Sequence, residues 1–206
     1  MTQIDYERTL IWLEQMVRGD VSARREAVEA FLAVGPAALP HLKQIVVTPD
    51  LNGGIRWDAA DMMAEYGEIA IPDLVETLED TRGGGAWFSA DALPRFREKI
   101  LEPVGALLHQ HPNPEVRHVA AFTLAFTKAR STLPALSHAL VHDPDPAVRA
   151  GVIRSLRVVY GGEPVEALAA ALSDQVPGVV QQAAYSLKQI GTEQAQRALV
   201  AWQNAH

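Results

Sequence analysis

The stretch Pro146-Ala-Val-Arg-Ala-Gly-Val-Ile-Arg-Ser-Leu156 has a counterpart 31 residues further on, Pro177-Gly-Val-Val-Gln-Gln-Ala-Ala-Tyr-Ser-Leu187. A third copy lies 32 residues earlier, as Pro114-Glu-Val-Arg-His-Val-Ala-Ala-Phe-Thr-Leu124. Within the quoted stretch Val148, Val152, Ile153 and Leu156 recur at helical spacing, so each copy is one buried helix face. A helical pattern repeated at this period means helical hairpins stacked side by side, each burying its apolar face against its neighbours.

The lead-in Asp143-Pro-Asp145-Pro supplies a helix cap followed by a first-turn proline. Gly161-Gly162 then ends the helix, because glycine takes the left-handed conformation without a steric penalty. Val165, Leu168 and Leu172 form the second helix of this hairpin. The same grammar divides the chain into units at 20–47, 54–80, 84–110, 112–141, 143–172 and 174–203, behind a capping helix at 4–18 that carries Tyr6, Leu10, Leu13 and Val17. Gly35-Pro36, Gly67 and Gly191 mark the turns of the first, second and sixth units. The third unit is irregular: Thr81-Arg-Gly-Gly-Gly85 is the most flexible stretch, Pro94 interrupts the first helix, and a longer helix over 97–110 is predicted to follow.

Composition narrows the chemistry. The 206 residues are 48% hydrophobic and 21% charged, ordinary values for a folded globular chain. No cysteine is present, which excludes disulfides, thiolate zinc sites and cysteine nucleophiles. The first residues, Met1-Thr-Gln-Ile-Asp-Tyr-Glu-Arg, are acidic and amphipathic, and no uninterrupted apolar run approaches the length of a membrane span. A cytoplasmic setting is the expectation. The net charge of −7 is uneven: residues 1–103 hold 18 acids and 10 bases, residues 104–206 hold 7 and 8. An acidic half beside a neutral half lacks the clustered cations that gripping a nucleic acid requires.

The pattern Val-Arg-x-x-Ala-x-x-x-Leu, then glycine, then Leu-Pro-x-Leu, resembles the HEAT repeat, in its short bilin-lyase-type form. Val116-Arg117 with Ala121 and Leu124, Val148-Arg149 with Leu156, and Ile55-Arg56-Trp57 with Ala59-Ala60 and Gly67 carry the first helix. Leu39-Pro40-x-Leu42, Ile71-Pro72-x-Leu74 and Leu133-Pro134-x-Leu136 carry the second. Unit six departs, with Val180 where arginine is expected, and unit three departs most. The resemblance implies an all-α right-handed superhelix, a single solenoid of about six hairpins whose second helices line the concave side. Arg117 and Arg149 stand in the first helical turn, where the helix dipole disfavours a cation. An acid must compensate, and Asp143, Asp145 and Glu115 are the candidates for a ladder between repeats.

Registering the Leu-Pro-x-Leu motifs gives the residues that the second helices turn away from the core. These are His41 and Gln44, then Asp73, Glu76 and Asp80, then Ala135, His138 and His142, then Ala167 and Ala170, and last Ala198 and Ala201. The expected groove is acidic at one end and a shallow alanine trough at the other. It would suit a protein partner, a helical segment that is basic or amphipathic. The alanines also serve close packing of neighbouring helices.

Enzymatic readings have less to stand on. His138 and His142 have the i,i+4 spacing of metal ligands, but no third ligand accompanies them, so no metal or cofactor is assigned. Iron-dependent hydroxylases built on similar repeats carry His-Glu dipeptides, and none occurs here. Trp57 with Asp61 is repeated as Trp87 with Asp91, and this looks similar to HEAT-like alkylpurine DNA glycosylases, in which aromatic residues cradle a cationic base beside a carboxylate. The resemblance to bilin-lyase repeats also raises a tetrapyrrole lyase or chaperone. The reading taken forward is a non-catalytic interaction scaffold.

Overall fold

The computed structural model describes residues 5–205, and all its regular structure is helical. Ile4, expected in the first helix, lies outside the described residues. By internal contacts the chain divides into two compact units, residues 1–100 and 101–206.

The first unit contains α1 (Tyr6–Arg18), α2 (Val21–Val34), α3 (Leu39–Val47), α4 (Gly53–Glu65), α5 (Ile71–Thr77) and α6 (Gly85–Ala92). Side chains cap the starts: Asp5 accepts from the Arg8 amide and Asp20 from the Ala23 amide at 2.9 Å, and Asn52 from the Gly54 amide at 2.8 Å. Phe31, Leu42, Ile45, Met62, Met63, Leu74 and Leu78 form the core, all buried. The Tyr66 hydroxyl, at the end of α4, donates 3.0 Å to the Phe31 carbonyl in the last turn of α2, and burial pushes its pKa up to about 12. Among the described residues, 21–47 is the one helical run that matches a membrane span by length and composition. It is two helices, broken where Gly35 takes φ 68°, and its apolar side chains Phe31, Leu39, Leu42 and Ile45 are spent on this core.

The second unit contains α7 (Leu101–Gln110), α8 (Pro114–Phe126), α9 (Leu133–His142), α10 (Pro146–Tyr160), α11 (Val165–Ala170), α12 (Pro177–Ile190) and α13 (Glu193–Ala205). Prolines open α8, α10 and α12, where a missing N–H costs nothing. α10 packs between α8 and α12, with α9 and α11 behind. Val116, Leu124, Leu136, Val152, Leu156, Leu168 and Leu187 fill the interior. The Tyr160 hydroxyl donates 3.0 Å to the Ala129 carbonyl, repeating the tyrosine tie of the first unit one repeat apart in each case.

The irregular third segment differs from expectation. The helix predicted over 97–110 starts only at Leu101, because Arg97 has φ 50° and ψ −121°, values no helix accommodates. A 3-10 stretch, Leu93–Ile100, replaces its first turn, and α6 and α7 belong to different compact units.

Candidate partner-docking faces

The arginines of the repeat motif are structural. Arg117 meets Asp143 edge-on, Nε to Oδ2 and Nη2 to Oδ1 both at 2.8 Å, and its Nη1 donates to the carbonyls of His111 and Pro112. Arg149 meets Asp174 the same way at 2.7 and 2.8 Å, and its Nη1 donates 2.7 Å to the Asp143 carbonyl. Asp143 therefore joins two successive arginines, one through its carboxylate and one through its backbone. Both pairs are nearly dry, and such charges require the full set of partners seen here. Asp143 was among the expected acids, and Asp174 was not. Asp145 instead caps α10, accepting from the Ala147 amide at 2.7 Å, and Glu115 is exposed in the first turn of α8.

In the first unit, the second helices do not present a bare acidic ridge. Asp73 and Glu76 on α5 both receive Lys43 of α3, at 2.9 and 2.7 Å, which leaves the trio with one net negative charge. Those contacts raise the Lys43 pKa, the Glu76 bond most, against the opposing effect of burial. Asp80 is bound edge-on by Arg82 at 2.9 and 2.8 Å. His41 is half-buried on α3, and Gln44 on the same helix is exposed. The acidic surface expected here is therefore partly offset by Lys43, which reaches both carboxylates from the neighbouring second helix.

The tryptophan–aspartate pairs lie on the first helices of the same unit. The Trp57 indole N–H donates 2.9 Å to Asp91, and Asp61 is paired with Arg95, which also reaches Glu65 at 3.3 Å. Trp87 is half-buried on α6. Both candidate carboxylates, Asp61 and Asp91, are thus engaged by local donors. Trp57 does line a pocket of about 320 Å³ with Met16, Val17, Arg24, Val28 and Asp58. Burial and the neighbouring Asp61 raise the Asp58 carboxyl, against Arg24.

The second helices of the second unit carry a different surface. Ala106 and His109 on α7, Ala135, His138 and His142 on α9, and Ala167 and Ala170 on α11 are half-buried or exposed, with the exposed acids Glu102 and Glu166 on the same helices. His138 and His142 stack at 4.4 Å and 20°, and His109 meets His138 edge-on at 5.5 Å. Rings stacked face to face do not aim their nitrogens at one point, and among the described residues no three acids or histidines are gathered to hold a metal. A groove of about 150 Å³ lies between α7 and α9, and one of about 370 Å³ between α9 and α11. The first is lined by His109, His138 and the Arg117–Asp143 pair, the second by Val141, Ala170 and the Arg149–Asp174 pair. Further along, on α13, Ala198 is half-buried and Ala201 exposed. His109 lies on α7, which carries no Leu-Pro-x-Leu motif by which its outward residues could be registered.

Similarity to known proteins agrees with this architecture. The sequence pattern of the family described as HEAT repeats matches residues 101–164. A chain solved in a study of microtubule plus-end tracking by XMAP215, CLIP-170 and EB1 superimposes with a TM-score of 0.53 at 17% identity, covering 87% of this chain and 89% of that one. Human deoxyhypusine hydroxylase in complex with glycerol aligns over 95% of this chain and 78% of its own, at 21% identity and a TM-score of 0.38. No curated protein matches the sequence significantly. Repeating hairpins, the arginine–aspartate ladder and the sequence match over α7 to α10 lead to one conclusion: residues 101–164 carry HEAT repeats, within a chain whose fold is an all-α helical repeat stack.

Proposed function

We propose that this protein is a non-catalytic scaffold that holds a segment of another protein on the second-helix face of its second unit, α7, α9 and α11. Helical-repeat stacks offer extended surfaces of this kind. The observation that carries the reading is the row of alanines and histidines with one groove on each side of α9. Small side chains let a partner helix approach closely, and imidazoles offer both donors and acceptors along its edge. An amphipathic helix with a narrow apolar stripe suits this face. A basic segment suits the first unit less well, since Lys43 already occupies Asp73 and Glu76.

The test is affinity purification of the full chain from the cells that make it, repeated with surface variants. Ala135→Arg with Ala170→Arg fills the row and should cut capture of the bound protein at least tenfold, with thermal stability unchanged. Asp73→Lys with Glu76→Lys should leave that capture intact. Capture that survives the alanine variants and is lost with the acid variants would reverse the assignment of faces.

A further inference from the structure

Asp80 sits at the position of a ladder acid. Three aspartates in the chain follow a second helix and accept, through Oδ1, the amide two residues on: Asp143 from Asp145 at 2.9 Å, Asp174 from Val176 at 2.8 Å and Asp80 from Arg82 at 3.1 Å. The first two also hold the motif arginine that lies 26 and 25 residues earlier. The motif arginine before Asp80 is Arg56, 24 residues earlier by its number.

That pair is not made. Arg82 occupies the edge of Asp80 that a ladder arginine would take, with Nε on Oδ1 and Nη2 on Oδ2. The corresponding residues in the second unit are Asp145 and Val176, and neither could do this. Arg56 is 2% exposed and donates to the carbonyls of Val46 and Gly83, both at 2.8 Å, with its guanidinium 5.0 Å from the Phe88 ring. Its Nη2 is buried without a hydrogen-bond partner, an omission that is costly for a charged group. The Asp80 backbone lies near this atom: a Cβ added at Gly85 would be 2.7 Å from the Arg56 Nη2 and 3.6 Å from the Asp80 main-chain carbonyl oxygen. The Asp80 side chain is 12% exposed and its present partner Arg82 is 79% exposed.

We propose that Asp80 is a two-position acid: Arg82 holds it out of the ladder, and release from Arg82 lets it close on the unfilled edge of Arg56. The glycine-rich segment 81–85 is the joint that permits both arrangements. Gly83 and Gly84, at φ 58° and 75°, take backbone conformations that other residues resist. The first unit therefore carries an adjustable repeat junction where the second unit has two locked ones.

The experiment removes the exposed holder. In Arg82→Ala, Asp80 should pass to Arg56, so its carboxyl, followed by carbon-13 NMR, should titrate no higher than in the wild type. Adding Asp80→Asn to that variant should lower the melting temperature by several degrees, and amide exchange across 81–86 should be slower in Arg82→Ala than in the wild type. The opposite results overturn the proposal. If the Arg82 side chain is the one guanidinium that Asp80 can meet, its carboxyl in Arg82→Ala rises above its wild-type position, since only the amide of residue 82 then holds it down. Asp80→Asn then leaves the melting temperature of Arg82→Ala unchanged or raises it. Because Arg82 is exposed, the Arg82→Ala chain retains its core and the measurements are made on folded protein.

Discussion

Asp143→Asn is the sharpest test of how the repeats are joined. The substitution keeps the shape and removes the charge. It leaves the Arg117 guanidinium, whose side chain is 9% exposed, opposite an amide that can accept only one of its two bonds at full strength. Stripping one partner from a buried pair costs about 3–5 kcal/mol. For a chain of 206 residues, at about 2–4 °C per kcal/mol, the melting temperature should fall by about 6–20 °C. Replacing both partners by apolar residues, Arg117→Met with Asp143→Leu, removes the orphaned charge. It should recover most of that loss despite giving up the bonds to His111 and Pro112. The assay is calorimetric or circular-dichroism melting of the wild type, both single variants and the double, at 0.1 and 0.5 M NaCl. Little salt dependence is expected for so dry a pair. A coupling energy under about 1 kcal/mol, or a double variant as unstable as the sum of the singles, would refute the buried-ladder argument.

Four further outcomes follow from the same coordinates. The His109 pKa is held below its ordinary value by burial and then by His138, against Asp143, and that of His118 by burial and then by Arg154, against Glu115 and Asp145. The unfolded chain therefore takes up these protons first, and stability present above about pH 6.5 should be lost as pH falls through that value, a slope that His118→Gln should flatten in melting scans. Asp174 is held below the usual carboxylate range by its bond from Arg149, against burial, so its contribution should persist at pH 5 and vanish on further acidification. A Cβ at Gly151 would collide with the His118 ring, so Gly151→Ala should cost about 1–3 kcal/mol in denaturant unfolding and be partly rescued by His118→Ala. Incubation with alkylated duplex DNA should release no base, because Asp61 is engaged by Arg95 and Asp91 by Trp57; release abolished by Asp61→Asn would overturn that reading.

What could be read from the residues is what depends on short spacing. The apolar stripe of α10, the caps at Asp20 and Asp145 and the helix stops at Gly35, Gly161 and Gly191 all act within a turn or two of chain. Glycine and proline announce backbone conformation directly, and a repeating stripe announces the stack. The same local logic failed at Arg97, whose positive φ no side chain advertises.

The sequence alone therefore determined the order of the helices, most of their bounds and the helical-repeat class, together with the demand that Arg117 and Arg149 find acids. Tertiary structure decided which acids, because Asp143 and Asp174 lie 26 and 25 residues away and only stacking brings them within 3 Å. It also decided that Lys43 pairs with Asp73 and Glu76, and that His109 joins His138. Electrostatic character belongs to surfaces, and a surface comes into being only when neighbouring helices set their side chains side by side.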